Sequence, residues 1–301
     1  MAVVAKAAGW GNLNTGNWVP EIWSQKVLKF FRRASVVEDV TNTDYAGEIS
    51  SFGDKVNIIK EPAITVAAYA RGQKLTTQDL ADDEIEMQVD KANAFQFKVD
   101  DIEERQSHVN WQALSTSSGA YKLKDTFDSE VLEYMRQNAL AANYYGSTGS
   151  PIDTGFSAGE VDPLTVMARL QRLLDDQDVP EENRFFVAAP IFWEQMSDVN
   201  SKILPVEVTG DNQSPLRNGR VFDGLIRGFR CYKTNNAPKS GSTWYASVAG
   251  HMSSTATASQ IAKTEAFRDP DSFADIVRGL HLYGRKVIRP EALAVAYVSI
   301  D

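Results

Sequence analysis

Apolar and polar residues change their spacing several times along the chain, and each change marks a different element. From Gly47 to Asp100 the period is two. Val56 and Ile58, then Ile64 and Val66 after Pro62, then Ile85, Met87 and Val89, and last Phe95, Phe97 and Val99 alternate with polar residues, which predicts strands. The polar, turn-rich segment ARGQKLTTQDLADDE separates them. The strands therefore read as a hairpin with a long excursion, too polar on both sides to own a core and stable only when laid on another surface.

From Ser107 to Tyr145 the step becomes three or four. Val109, Ala113, Ala120, Leu123, Phe127, Val131, Tyr134 and Met135 form one stripe with no proline in the segment, which predicts a long amphipathic helix. Ser107 is the expected N-cap, and Gly146 stands where a left-handed C-cap would end the helix. Its length would be roughly 55 Å at 1.5 Å per residue. The small residues Ala113, Ser117, Ser118, Gly119 and Ala120 leave a narrow middle for close backbone packing. A single strut is the reading, and a break at Ser117–Gly119 is the alternative, because Ser, Thr and Gly form helix weakly.

Shorter elements flank the strut. In Glu21–Arg33 the apolar Ile22, Trp23, Val27, Phe30 and Phe31 predict an amphipathic helix, with Lys26, Lys29, Arg32 and Arg33 on or near its polar side. Its basic end suits the helix dipole without any ligand. The loop GSTGSPIDTGFSAGEVD is the strongest boundary signal. Asp162 and Pro163 then open a helix through Leu164, Met167, Leu170, Leu173 and Leu174. A strand RFFVAAP follows, and Pro190 opens a second helix, IFWEQMSD. This alternation suggests a separate compact α/β-like module. LIRGFRCYK reads as a strand or hairpin, WYASVAGHMS and ASQIAKTEAFR as strand-like, and Pro290 limits the final β-rich run to an edge, a bend or two strands rather than one central strand.

The chain has 301 residues with a formal net charge of -9, which argues against a protein whose task is to grip phosphate backbones. Cys231 is the single cysteine, so no intrachain disulfide forms and a reducing compartment fits. No apolar run is long enough to span a bilayer, and the N-terminal residues lack the apolar core of a secretory signal. Synthesis in the cytoplasm is expected. Trp10 and Trp18 lie in a Gly- and Asn-rich stretch. Their large apolar area favours docking, either onto the protein's own core or as an arm over a neighbouring subunit.

Candidate chemistry is sparse. His108, His251 and His281 lie far apart without ligand spacing, and each reads as structural or surface histidine. Cys231 reads as a small packed residue. The nucleophile-elbow, phosphate-loop and dinucleotide motifs are absent, and PKSGST precedes no helix. Acidic runs at Asp82–Glu84, Asp100–Glu104 and Asp175–Asp178 lack the regular alternation of a calcium loop. Solvated faces explain them, with calcium at Asp82–Glu84 as the alternative. No catalytic residue, cofactor or metal ligand is assigned.

The order of basic arm, polar hairpin, long helix, α/β module and β-rich return resembles the major capsid protein of tailed bacteriophages, the Hong Kong ninety-seven fold, nearest to short-tailed phage capsids. VNIIKEPAITVAAYARGQKL and EIEMQVDKANAFQFKVDD resemble the extended E-loop, and the strut resembles the spine helix of the P-domain. DPLTVMARLQRLLDDQDVPEENRFFVAAPIFWEQM, NGRVFDGLIRGFRCYKTNNAP and VRGLHLYGRKVIRPEALAVAYVS resemble parts of the A-domain and the return. The resemblance implies an α+β capsid fold. Its divisions would be an N-terminal arm at 1–45, an E-loop hairpin at 46–98 and a P-domain with spine helix at 99–146. An A-domain at 147–245, return strands at 246–285 and a C-terminal A-domain segment at 286–301 would complete it.

The resemblance further implies a homo-oligomer, pentamers and hexamers in an icosahedral shell around double-stranded DNA that is packaged without specific binding. Scaffolding and portal proteins would be its assembly partners, with no membrane. The virion capsid would be its location, after assembly in the host cytoplasm. On this reading Trp10, Trp18, Glu61, Pro62, Tyr69 and Arg71 touch neighbouring subunits. Some relatives weld subunits through an E-loop lysine, an asparagine and a late-strand glutamate. Lys55, Lys60 and Lys74 could supply the amine, but IVRGLHLYG offers no Asn or Glu, so non-covalent assembly is expected. No helical leader precedes Trp10, which leaves a separate scaffold or a removed leader as the expectations. An encapsulin-like nanocompartment shell is the nearest alternative. A hydrolase with a cleft at the Gly146–Glu160 loop is the alternative from another class.

Overall fold

The computed structural model describes residues 35–44, 55–59, 64–66, 68–74, 77–78, 84–101, 111–198, 225–240 and 243–299. The helix expected over Glu21–Arg33, the N-cap at Ser107, and Trp10, Trp18, Glu61 and Pro62 lie outside the described residues. The first half of the described chain holds α1 (Val37–Val40), β1 (Lys55–Ile59), β2 (Glu84–Gln88), β3 (Lys91–Asp100) and the long α2 (Trp111–Gln137). Two short strands follow, β4 (Tyr144–Tyr145) and β5 (Ile152–Asp153), then α3 (Pro163–Asp175), β6 (Arg184–Ala188) and α4 (Pro190–Met196). The remainder is β7 (Leu225–Ile226), β8 (Phe229–Lys233), β9 (Lys239–Ser240), β10 (Trp244–His251), β11 (Thr255–Arg268), β12 (Ala274–Val287) and β13 (Leu293–Ser299).

The main body is an eight-stranded sheet ordered β4-β13-β10-β6-β8-β7, with β5 beside β13 and β9 beside β10. Every residue of β6 and β13 is buried, because both faces of this sheet are covered. Phe186 and Ala188 of β6 point to one side, where they meet Met167, Leu170 and Leu174 of α3 and Phe192, Trp193 and Met196 of α4. Phe185 and Val187 point to the other side, against Phe127, Val131, Leu132 and Met135 of α2. A strand buried on both faces reads as a continuous apolar run, and RFFVAA is one. The helix opening at Asp162–Pro163 is as expected: the Asp162 carboxylate accepts the Leu164 N–H at 2.9 Å, with Pro163 at the first helical position.

α2 runs without interruption through Ser117–Gly119, so the strut is continuous there. Its 27 residues span about 40 Å. The expected C-terminus near Gly146 is corrected: the helix stops at Gln137. The Asn138 side chain donates to the Tyr134 carbonyl at 2.8 Å, and the Leu140 N–H turns to Pro290 O at 3.0 Å. Asn143, buried in the following 3-10 turn, donates to the carbonyls of Glu291 and Leu293. Tyr144 and Tyr145 then join β13 in parallel, opposite Val295 and Ala296. Pairing with the sheet overrides the helical preference of Leu140–Ala142. Gly146, at φ +78°, turns the chain after β4 instead of capping the helix.

A separate three-stranded antiparallel sheet has the order β11-β12-β3. Pro290 falls in a 3-10 turn between β12 and β13, so of the readings open at this proline the structure takes two strands. β1 and β2 form a two-stranded pair with Val56 opposite Met87 and Ile58 opposite Ile85. The expectation that this hairpin owns no core is corrected at its root. Met87 is fully buried with Ala256 and Ala258, and Val56, Ile58, Val89 and Ile288 pack around it. Ile64 and Val66, expected in a strand, lie outside any strand. The Thr65 N–H bonds the Gln78 side chain at 3.0 Å in place of a ladder partner.

Candidate subunit interface

The excursion between β1 and β2 carries large apolar side chains into solvent. Val66 is 92% exposed, Ile64 72% and Tyr69 63%. The tip is a turn in which Gln73 N–H donates to Ala70 O at 3.0 Å. The Gln73 side chain returns the favour by accepting the Ala70 N–H at 3.2 Å. Gly72, at φ +89°, allows the left-handed backbone that the turn needs. Tyr69 and Arg71 thus sit together on a turn that holds its own shape, both exposed. The root below is fixed by the Met87 cluster and by Lys55–Glu86, 2.5 Å apart, and Asn57 Nδ2 donating to Glu84 at 3.0 Å. Gly284 lets β12 lie against this root, since a Cβ there would sit 2.8 Å from Gln88 O.

The far end of the β11–β12 hairpin is the second exposed region. Phe273 is 81% exposed in the turn. Around it the charges interlock: Arg268 forks onto both oxygens of Asp101 and reaches Asp275, and Lys98 bonds Asp269 at 2.7 Å. The Lys98 ammonium and the Ser272 hydroxyl hold the Asp269 carboxyl well below its ordinary range. The guanidinium of Arg278 lies over the Phe267 ring, 5.0 Å from its centroid.

Between these two ends, α2 crosses the three-stranded sheet. The Phe95 ring fills the gap left by two glycines, Gly119 on the helix and Gly279 directly opposite Phe95 on β12. Beside it a groove of about 590 Å³ opens between α1, α2 and the sheet, walled by Phe95, Leu123, Phe127 and Leu280. Next to Phe127 on α2, Asp128 is buried. Its carboxylate accepts the Ser35 hydroxyl at 2.9 Å and the Val36 N–H at 3.2 Å. Burial pushes this carboxyl up to about 6, opposed by the Ser35 and Val36 hydrogen bonds and by Lys124. This carboxylate ties the entry of α1 to the strut.

Of the remaining sequence candidates, Cys231, His251 and His281 are described. Cys231 is half-buried with its sulfur 3.6 Å from Phe229 O, and burial raises its thiol to about 12. His251 accepts the Ser253 N–H at 3.1 Å, and burial lowers its pKa. His281 meets Ser259 at 2.9 Å, and His108 lies outside the described residues. Among the described residues no group of His, Cys, Asp or Glu is placed to hold a metal. Among them, too, no helix is long and apolar enough to cross a membrane.

No protein-family model matches the chain. No curated protein matches it. Solved structures do. One from Mycobacterium phage Che8 has a TM-score of 0.79 at 29% identity, covering 94% of this chain and 98% of its own. The capsid structure of the cyanophage P-SCSP1u has a TM-score of 0.75 at 17% identity, covering 97% of both chains. The fold is that of a tailed-phage major capsid protein. The capsid of a native GTA particle matches as well, with a TM-score of 0.68 at 13% identity, over 99% of this chain and 100% of its own.

Of the residues singled out in the sequence, Tyr69 and Arg71 come together on the exposed tip. Trp10, Trp18, Glu61 and Pro62 lie outside the described residues. Phe273 and Asp128 were missed. Phe273 had a signal, a large aromatic in the otherwise polar turn DPDSFAD. Asp128 had little: an acid beside Phe127 reads as an ordinary position until the partner from Ser35 is in place.

Proposed function

We propose that this chain is the structural coat protein of a tailed-phage head, self-assembling into pentamers and hexamers that enclose double-stranded DNA. The observation that carries the reading is likeness over nearly the whole length of both chains to the Che8 structure, at 29% identity. Capsid structures of a cyanophage and of a GTA particle share the fold at lower identity. The exposed apolar tip gives the reading a physical basis. Ile64, Val66 and Tyr69 gain little from folding of their own subunit and gain burial only against another copy. Ring contacts between unlike patches close a shell, and several weak contacts per subunit sum to a stable one.

On this reading the subunit divides into an N-terminal arm, an E-loop built on β1 and β2, a P-domain on α2, and an A-domain on the eight-stranded sheet. The pairing of β3 with β12 and the place of β10 between β13 and β6 support this division. The neighbour-contacting residues proposed are Trp10, Trp18, Glu61, Pro62, Tyr69 and Arg71. No catalytic role is proposed. Scaffolding and portal proteins are the proposed assembly partners, the host cytoplasm the place of assembly, and packaged DNA is contained without specific binding. The acidic net charge of -9 supports the last point. No observation favours an encapsulin-like shell. Negative-stain microscopy of the purified protein tests the function: rings or closed shells are expected, and a uniform monomer at all concentrations overturns it.

A further inference from the structure

We propose that two opposite rims of the eight-stranded sheet meet between copies: β9 of one subunit, with Lys239 and Lys233, against β5 of the next, with Asp153 and Glu160. The inference rests on the coat-protein reading and names which faces touch within a ring. Among the described residues, one end of the sheet is only four strands wide. Lys239 of β9 lies opposite Tyr245 of β10, Tyr245 opposite Val298 of β13, and Val298 opposite Ile152 of β5. Lys239 therefore stands on one rim of this row, and Asp153, the residue after Ile152, on the other. Three strand spacings, about 14 Å, separate the rims. β9 and β13 are both antiparallel to β10, and β5 is parallel to β13. The two rim strands thus run the same way, and a rotation about the strand direction sets β9 of one copy beside β5 of the next.

The rims carry opposite charge. Residues 225–240 hold Arg227, Arg230, Lys233 and Lys239 and no acid, whereas residues 146–162 hold Asp153, Glu160 and Asp162 and no base. Asp162 caps its own helix, but Asp153 and Glu160 are exposed. Lys239 and Lys233, the last residue of β8 on the same side of β10, are exposed as well. Among the described residues neither lysine meets a carboxylate, and Asp153 meets no cation. The Lys239 ammonium lies over the Tyr245 ring, 5.8 Å from its centroid, and the Glu160 carboxylate accepts only the Ser157 N–H at 2.8 Å. The body of the sheet holds the two rims apart within one subunit, so each finds its complement on a second copy. Unlike edges meeting head to tail are the contact from which a ring closes. One exposed ion pair is worth little, yet such pairs select partner and register, and repetition around a ring adds them up.

The test is charge reversal in the full-length protein, read by electron microscopy, with circular dichroism melts to establish that each variant folds. Lys233→Glu with Lys239→Glu should lower the yield of rings or shells at least tenfold, and so should Asp153→Lys with Glu160→Lys. All four reversals together should restore most of the yield. Normal assembly of either reversed pair, or a folded fourfold variant that does not recover, would overturn the proposal. A second measurement needs no reversal: a short bismaleimide is applied to assembled protein carrying Asp153→Cys and Lys239→Cys, with Cys231→Ala to remove the native thiol. A ladder of linked oligomers is expected from the double-cysteine protein and a single monomer band from each one-cysteine control. A monomer band from the double-cysteine protein, linked within one chain or not at all, counts against the contact. Wild-type shells that form while both tests fail would sink this edge contact and leave the coat-protein reading intact. A wild-type protein that stays monomeric removes both.

Discussion

The ring of Phe95 lies against the bare Cα of Gly119, so close that a methyl group there would sit 2.7 Å from Cε2. The same ring covers Gly279, its partner across the β3–β12 ladder, where a Cβ would sit 2.3 Å away. Phe95 is thus one point where the strut meets the sheet, and Phe127, edge-on to Tyr283 of β12 with ring centroids 4.8 Å apart, is another. Alanine at 119 would gain up to about 1 kcal/mol of helix propensity, but overpacking against a fixed ring costs about 1–3 kcal/mol. Gly119→Ala is therefore expected to destabilise the subunit, and Gly279→Ala more so. In a Phe95→Leu background, Gly119→Ala should become neutral or stabilising. Urea unfolding of the four proteins measures the coupling, and simple additivity would refute the contact.

Asp128 gives the strut a pH dependence of a particular sign. Its folded-state pKa is raised from 3.8 to about 6 by burial, so the folded protein binds this proton more tightly than the unfolded chain. Its contribution to stability grows as pH falls from 7.5 through 6 toward 3.8. Between pH 7.5 and 5 the gain is on the order of 1 kcal/mol. Comparison with Asp128→Asn isolates the group. The wild-type protein should gain on the variant as pH falls, because Asn keeps an acceptor for Ser35 or Val36 but has nothing to titrate. A stability difference that stays flat across this range would contradict the assignment.

Exposed apolar residues at the tip should be dispensable for folding and needed for assembly. Val66→Ser combined with Tyr69→Ser is expected to move subunit stability by no more than about 0.5 kcal/mol and to abolish shells. Phe273→Ser should behave in the same way at the other end of the subunit. Replacing 61–71 with Gly and Ser, or deleting Met1–Pro20, should likewise leave a folded subunit that no longer closes shells. Circular dichroism melts and microscopy read the two effects separately. Normal shells from the double variant would remove the tip from the interface.

Assembly is expected to leave no covalent trace. Lys55 is paired with Glu86, and β12 carries neither Asn nor Glu in IVRGLHLYG. Particles boiled in SDS should run as a single monomer band, and a ladder of oligomers would show welding by some other pair. The thiol of Cys231, raised to about 12 by burial, should react with a disulfide reagent at pH 8 at least tenfold more slowly in the folded protein than in urea.

Much of this architecture was legible in the chain because its signals were local. Asp162–Pro163 announced α3 through a cap and a preset φ. Pro290 divided the final strands because it cannot donate to a ladder. The continuous run RFFVAA marked a strand, though that α3 and α4 cover one face and α2 the other appeared only in the structure. Where the sequence misled, distant partners decided. Leu140–Ala142 favour helix on their own, yet Asn143 is held by Glu291 and Leu293, more than a hundred residues away in the chain. Met87 looked like one apolar residue in a polar hairpin until Ala256 and Ala258 closed over it. At the candidate interface, Tyr69 was visible as an aromatic beside a Gly turn. The tie between Asp128 and Ser35 spans 93 residues and left no periodic mark.

The position of β13 has a consequence for biosynthesis. This strand lies between β10 on one side and β4 and β5 on the other, yet a ribosome makes it after every other described strand. Until it emerges, Val248 and Ala246 present an unfilled slot, and the nascent subunit keeps a sticky seam at its heart. A chain cut short before Leu293 would leave β4, β5 and β10 all without their shared partner, so the last few residues to be synthesised close the sheet.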